Sequence, residues 1–369
     1  MLLLSVIENQ KESIALENHE QEVYFNFMNS LKSPYTKENY SLNIKLYLKF
    51  CNLTKLSELL TIPEPQKQII KYIMSLRERK LSTNSINTML CAIYHLYEMN
   101  DLVLNKKKIN MFIGEPTLKI VDRPYTYEEI QKILNISDLR MKVVIGLMFS
   151  AGLRIGSLTQ LKLRNLEKIE ECYKVVVYEG TNEQYYSFCT TECSQFINDY
   201  LEYRTKNGEN LSPDSYLIRD QFDINDLEQI RNKSRGIATG TIEVILNTLL
   251  LKTGIRIVDH TSRKRKEVAR AHGFRKFFTT QMIKTKVNYE NRLMMEGHSL
   301  GITDHYARID VQDNFTEYQK AIDNLTIDPA NRLLKQVKTL QVEVSRIDKL
   351  EQSLHKLEQK HKEGQTILR

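Results

Sequence analysis

Long apolar runs are missing from this 369-residue sequence, and no stretch of it is long and apolar enough to cross a bilayer. The N-terminal run Met1-Leu2-Leu3-Leu4-Ser5-Val6-Ile7 lacks a basic flank and meets Glu8 at once, so it is a poor secretory signal. Cysteine is scarce: Cys51, Cys91, Cys172, Cys189 and Cys193 are odd in number and form no CxxC pair. That excludes a disulfide framework, makes a zinc site unexpected, and points to reduced thiols in an intracellular protein. A phosphate-binding glycine loop is absent as well. Neither a metal nor a nucleotide cofactor is therefore expected, nor a membrane partner, and the expected location is the cytoplasm.

The length is too great for one ordinary domain and suits two, each able to bury its own core. A formal charge of +7 and a pI near 8.9 fit a polyanionic partner, although 46 acidic residues are mixed among 53 basic ones. Where the charge clusters is more informative than the total.

Residues 1–17 are polar and unpatterned and read as a loose arm. From 18 to 113 the apolar period is helical. Tyr24, Phe27, Met28 and Leu31 form one row, and Tyr40, Ile44, Leu46, Tyr47 and Phe50 a second. Ile69, Ile70, Ile73, Met74 and Leu76 follow Pro65, and a fourth helix runs from Thr83, read as its cap, to Tyr97. Lys106, Lys107 and Lys108 suit either a face that tracks a nucleic-acid backbone or an ordinary solvated surface.

Pro116 and Pro124 with no apolar period mark 114–125 as an extended linker. A second domain, 126–328, opens where Thr126 and Glu129 form a capping box. Helices are expected through Leu134, from Met141 to Phe149, and around Thr191–Lys206, Thr239–Lys252, Val268–Lys284 and Phe315–Leu325. Between them, Tyr173–Tyr178 and Tyr185–Cys189 flank the turn-forming Glu179-Gly180-Thr181-Asn182 and predict a β-hairpin. The fold class is thus mainly α with a small β-sheet. In the tail, 329–369, Leu333, Val337, Leu340, Val344, Ile347 and Leu354 keep a four-three spacing broken at Glu351, which suits a coiled coil or one long amphipathic helix.

Four places in the second domain carry chemistry. They are Ala151-Gly152-Leu153-Arg154-Ile155-Gly156-Ser157, the hairpin, His272-Gly273-Phe274-Arg275, and Gly297-His298-Ser299 followed by Asp304-His305-Tyr306-Ala307-Arg308. In this order and at these separations the set resembles the catalytic domain of tyrosine recombinases and phage integrases, particularly archaeal members that share the GHS…HYAR ending. The resemblance covers about residues 125–325, and the N-terminal helices fit the family's core-binding domain by position and character.

Each piece alone is common; the ordered combination is what points to phosphodiester transfer. A strand can be broken without losing its bond energy only if a protein nucleophile stores the phosphate as an ester, which a phenol can do. Free tyrosine has a pKa near ~10, so its proton must be accepted, and the transition-state oxygens need fixed cations. Arginine offers planar forked donors that stay charged. The resemblance implies Tyr306 as nucleophile and Arg154 and Arg275 as the phosphate-holding arginines. His272, three residues before Arg275 on one helix face, would address the same phosphate, and His298 would bond it or move a proton.

Two positions depart from the family pattern. The family's hairpin lysine, which protonates the departing 5′ oxygen, aligns with Glu179; either Lys174 replaces it or the proton comes from elsewhere. The glutamate usual three residues after the first arginine is Ser157 here. Arg263, Lys264, Arg265 and Lys266, with Arg270 and Lys276, place seven basic residues, Arg275 among them, in the fourteen from 263 to 276 and read as phosphate-backbone contacts.

The resemblance implies a bilobed clamp on double-stranded DNA, a 3′-phosphotyrosyl intermediate with a free 5′ hydroxyl, and self-association from dimer to tetramer on DNA. Two alternatives stand beside site-specific recombination: a topoisomerase-like or transposon-borne strand transferase of low specificity, and a DNA-binding protein with a decayed active site.

Overall fold

A computed structural model of the chain describes residues 17–115, 122–232, 234–257, 267–299 and 310–333, with scattered positions beyond. The chain folds as two compact units, 1–119 and 120–369.

The first unit is helical. Its elements are α1 (residues 17–29), α2 (Pro34–Cys51), α3 (Leu56–Leu60), α4 (Pro65–Glu78), α5 (Thr83–Glu98) and α6 (Lys106–Asn110). Proline opens α2 and α4, where the missing N–H is no loss, and Asn52 closes α2 in the left-handed conformation at φ 56°. Ser82, not Thr83, caps α5 by accepting from the Ser85 N–H; its extended backbone leaves Thr83 as the first helical residue. Phe27, Tyr47, Ile73, Leu90, Ile93 and Tyr97 share one buried core, whereas Tyr24 and Met74 of the apolar rows face solvent.

The second unit contains α7 (Tyr127–Asn135), α8 (Leu139–Ser150) and α9 (Ile155–Leu158), then β1 (Leu166–Ile169), β2 (Cys172–Val177) and β3 (Tyr185–Cys189). After the strands come α10 (Thr191–Lys206), α11 (Leu227–Asn232), α12 (Thr239–Lys252), α13 (His272–Lys284), α14 (Tyr289–Met295), α15 (Val311–Gln319) and α16 (Ile322–Leu325). The Thr126–Glu129 capping box forms: the Glu129 N–H donates to Thr126 Oγ1 at 3.2 Å and the Thr126 N–H to Glu129 Oε2 at 2.9 Å. α8 is buried on nearly every side, which is why its sequence is apolar without a polar stripe.

The hairpin is present and belongs to a three-stranded antiparallel sheet in the order β1-β2-β3, with Val175 opposite both Leu166 and Ser187. β1 was not legible in advance, because four residues of mixed polarity ending in a left-handed Glu170 (φ 51°) carry little strand signal. Two helix limits also differ. α13 starts at His272 because Val268 instead bridges to Arg123, and its carbonyl accepts from Arg256 at 2.8 Å. The helix expected over Phe315–Leu325 is two, α15 and α16, divided at Lys320-Ala321.

Residues 122–125 are tied to the second unit. Arg123 pairs with Glu129 at 2.7 Å and Glu267 at 2.6 Å, and Tyr125 is buried against the Phe274 ring. At the other end of the unit, the Tyr318 hydroxyl donates to the Ser150 carbonyl at 2.8 Å, the Tyr127 hydroxyl to that of Asn324 at 2.7 Å, and the buried Glu192 carboxylate accepts the N–H groups of Ile327 and Asp328. These bonds dock 311–328 on α7, α8 and α10.

Beyond 328 the described residues are helical, and Leu333, Val337, Leu340, Val344 and Ile347 are each at least half exposed; Leu354 lies outside the described residues. Among the described residues no helix is long and apolar enough to cross a membrane.

Replacing Glu192 by Ala removes the shared acceptor of one buried and one half-buried amide, so the unfolding free energy should fall by about 2 kcal/mol. Urea unfolding of the native and variant chains measures it.

Candidate active site

The site is built on two helix ends that meet one arginine. α8 ends at Ser150 and turns through Gly152 at φ 65°; α14 ends at Met295 and turns through Gly297 at φ 63°. At the second end the Gly297 N–H returns to the Met294 carbonyl and the His298 N–H to that of Leu293, both at 2.9 Å, which is a Schellman closure. A side chain has no room at either glycine, since an added Cβ would lie 2.4 Å from the Phe278 ring at Gly152 and 2.6 Å from the Tyr185 ring at Gly297.

Both helix ends present carbonyls to Arg275, on the inner face of α13. Its Nη1 donates to the Gly152 carbonyl at 2.5 Å and its Nη2 to the Glu296 carbonyl. The helix dipoles place partial negative charge at these termini, which suits a buried cation. Arg275 is only 5% exposed, and burial, followed by the nearby charge of Arg154, lowers its pKa.

Arg154 is the N-cap of α9, half-buried at the break between α8 and α9. It shares with His298 an open cleft of about 1010 Å³, also lined by Lys174, Tyr178, Glu179 and Tyr185. The sequence-predicted Arg154, His298 and Lys174 thus line one cleft, and Arg275, which is not in its lining, reaches it through His298 Nε2, 3.4 Å from Nη2. His272 stands exposed in the first turn of α13 and is not part of the cleft lining. Tyr306 and the run Arg263, Lys264, Arg265 and Lys266 lie outside the described residues.

His298 Nε2 is 3.4 Å from Arg275 Nη2, and Nδ1 is 3.5 Å from Glu296 Oε2. Partial burial, then the positive charge of Arg275, pushes its pKa below the ordinary imidazole value, so the neutral ring is favoured at pH 7. Lys174 Nζ pairs with Glu167 Oε2 at 2.6 Å and lies 5.5 Å from the Tyr186 ring centroid. Glu179, at the aligned lysine position, accepts from Arg164 Nε at 2.8 Å and Asn165 Nδ2 at 3.0 Å. The hydrogen bond from Arg164 is the main reason that the pKa of Glu179 falls. Its charge is thus matched by a neighbouring cation instead of facing the cleft alone. Ser157, at the position where a glutamate is usual, donates to the Arg154 carbonyl at 2.7 Å.

The remaining basic candidates are partly engaged. Lys276 Nζ bonds Asp122, Arg270 Nη2 is 3.8 Å from Glu243, and Lys106 pairs with Glu98, while Lys107 and Lys108 are exposed on α6. Glu296, Arg164 and Tyr185 were not foreseen from the sequence. Glu296 had a faint signal, an acid two residues before the histidine; Arg164 had none, because its role depends on β1 and the loop around Asp214. Among the described residues no group of three or more His, Cys, Asp or Glu is placed to hold a metal ion.

The sequence profile described as the phage integrase family matches residues 124–313 of the 369, and the chain belongs to that family. It is a tyrosine recombinase, an enzyme that breaks and rejoins DNA strands at specific sites. Its curated relatives include tyrosine recombinase XerC of Leptospira interrogans, 24% identical over 313 residues, covering 80% of this chain and 91% of the relative. Tyrosine recombinase XerA of Pyrococcus horikoshii is 23% identical over 246 residues, covering 66% and 75%. Among solved structures, the Tn1549 transposon integrase in complex with circular intermediate DNA has TM-score 0.56 at 14% identity, covering 82% of this chain and 99% of that one. A lambda integrase tetramer bound to a Holliday junction has TM-score 0.53 at 13% identity, covering 81% and 76%. These likenesses establish a shared fold.

Gly297→Ala should displace the His298 turn, lowering stability by about 1–3 kcal/mol and slowing strand cleavage at least roughly tenfold. Gly156→Ala, whose added Cβ meets nothing within 4 Å, should leave stability within about 1 kcal/mol of native. Thermal melts and a cleavage assay on the two variants check the contrast.

Proposed function

We propose that Tyr306 is the nucleophile of strand cleavage, that Arg154 and Arg275 hold the scissile phosphate in the cleft, and that His298 and Lys174 move the protons. The observation that carries this reading is the Arg275 guanidinium, whose Nη2 lies 3.4 Å from His298 Nε2, beside an imidazole that lines one open cleft together with Arg154 and Lys174. Like charges held together are stabilised when an anion sits between them, and a phosphodiester has the two non-bridging oxygens that forked donors match.

In this reading the Tyr306 oxygen attacks phosphorus and the bond to O5′ breaks, leaving a 3′-phosphotyrosyl ester. The phenolic proton passes to His298 Nε2, which the lowered pKa leaves free to accept it at neutral pH. Lys174 gives a proton to the departing O5′; its side chain, 15% exposed and paired with Glu167, lines the cleft from the central strand of the sheet. Attack by a 5′ hydroxyl on the phosphotyrosine reverses each step. Glu179 argues for Lys174 over the turn itself, because a carboxylate bound to Arg164 cannot donate that proton.

We assign residues 18–113 to core DNA binding, 126–328 to catalysis and 329–369 to contacts between protomers. Lys107 and Lys108 are the most accessible cations of the first unit's triplet, and Arg263, Lys264, Arg265, Lys266, Arg270 and Lys276 would follow the phosphate backbone. The exposed four-three row of the tail suits pairing between copies. Double-stranded DNA is the partner, with dimers assembling into tetramers on it; the solved lambda integrase tetramer sits on a Holliday junction.

The test uses nicked suicide duplexes cut from the genomic region around the enzyme's own gene, with covalent adducts scored on denaturing gels. Tyr306→Phe should abolish the adduct and keep DNA binding; binding without an adduct in the native chain would instead favour the decayed-site reading. Lys174→Ala should slow cleavage roughly 10²–10⁴-fold. A duplex with sulfur in place of the bridging O5′ should restore most of that loss, since a thiolate leaves without a proton. No restoration would remove Lys174 as the acid.

A further inference from the structure

Resting on the reading of His298 as a proton carrier, we infer that Glu296 is the positioning residue that fixes the tautomer of His298 and supports its charge once the proton arrives. Glu296 is 3% exposed, yet it carries a carboxylate, one oxygen of which is anchored while the other faces His298. Oε1 accepts from Thr279 Oγ1 at 2.9 Å and from Arg292 Nη1 at 3.3 Å, which fixes the carboxylate from both α13 and α14. Oε2 is left 3.5 Å from His298 Nδ1. A carboxylate there favours the ring with hydrogen on Nδ1, so the lone pair is on Nε2. That nitrogen is the one beside Arg275, 3.4 Å away, at the cleft.

The same residue holds the arginine: its backbone carbonyl accepts from Arg275 Nη2. One buried residue therefore sets both the imidazole and the guanidinium, through a side chain and a main chain that the Gly297 turn keeps in register. A carboxyl group would not be buried here for packing alone, since an apolar side chain of similar size avoids the desolvation of a charge.

The charged groups around His298 are Arg275 from α13, Arg154 from the α8–α9 break, and Arg292 and Glu296 from α14, with the Tyr185 phenol of β3 against the adjoining turn. Three are cations that oppose protonation of the ring. Glu296 is the counterweight, so without it the imidazolium is disfavoured further and the ring becomes a weaker base.

Glu296→Gln keeps the shape and an acceptor for Thr279 while removing the charge. In the full-length variant, ¹⁵N NMR of the imidazoles, with His298 assigned through His298→Gln, should show the Nδ1–H tautomer losing its dominance and the His298 titration moving to lower pH. Adduct formation on the nicked duplexes should slow roughly tenfold or more at neutral pH, with its acid limb moved to lower pH. In a His298→Gln background the Glu296→Gln change should have little further effect on rate.

The inference is overturned if tautomer and titration match the native chain, or if the rate falls with the limb unmoved and the effects of the two substitutions multiply. Glu296→Asp, with its charge retained on a shorter stem, and a thermal melt separate loss of fold from loss of positioning. Because the NMR measurement needs no cleavage, a native chain that forms no adduct would sink the proton-transfer reading without deciding the Glu296–His298 pairing.

Discussion

Everything at the centre of this enzyme depends on a buried guanidinium being held by two helix C-termini. Arg275 is nearly sealed from solvent and would be costly there unless its donors were met. Carbonyls of Gly152 and Glu296 meet two of the five, one on each Nη, and each is at a helix end turned by a left-handed glycine. The arrangement ties α8, α13 and α14 to one point. It also sets the position of the residue beyond each turn: Arg154 is two residues after Gly152, and His298 directly succeeds Gly297. Glycine is required because the Phe278 and Tyr185 rings occupy the space that a Cβ would fill. The placement of Arg154, Arg275 and His298 is thus a by-product of how two helices stop.

The sheet supplies the other wall. Val175 and Val177 face the core while Lys174, Val176 and Tyr178 reach the cleft, so the alternation of β2 delivers the lysine and withholds its neighbours. The reversal beyond Val177 begins with a left-handed Tyr178 (φ 55°) and Gly180 (φ 76°), and it sends Glu179 towards Arg164 and Asn165. A carboxylate in a phosphate-binding cleft is a liability only while unpaired, and this one is bound by a cation that β1 and the preceding turn bring up. The change of residue at the lysine position therefore comes with a local compensation.

Much of this was legible in the chain. Helical periods located most of both units, the Thr126 capping box opened the second, and β-branched runs around Glu179-Gly180 gave the hairpin. The arginines and His298 were legible because residue type, order and glycine context all pointed one way. The features that escaped have a common physical character. β1, α9 and α14 are too short for periodicity to register, and their stability comes from packing. The start of α13 was misplaced because Val268 has good local reasons to be helical and a better tertiary one, its bridge to Arg123, not to be. Glu296 and Arg164 escaped because a single sequence does not show which charge folding will bury, as at Glu296, or which exposed charges it will pair, as at Arg164. His272 and Arg275 share a helix face by spacing, but spacing does not say that one is sealed and the other exposed.

Electrostatically the site is a set of cations gathered around one imidazole. Arg154, Arg275 and Arg292 surround His298, and each disfavours its protonation. Without an anion the balance leaves the ring neutral and ready to accept a proton; a phosphodiester held by Arg154 and Arg275 would bring negative charge and raise the ring's affinity for one. Binding the strand would thus strengthen the base that cleavage needs. Glu296 limits how far the free enzyme can go in the other direction: its carboxylate favours the charged forms of both Arg275 and His298, and it meets the ring at Nδ1, the nitrogen opposite the one beside Arg275. A carboxylate on the cleft side would compete with the strand, and one absent altogether would leave three cations and an imidazole around a helix end with no negative side chain among the groups that act on the ring.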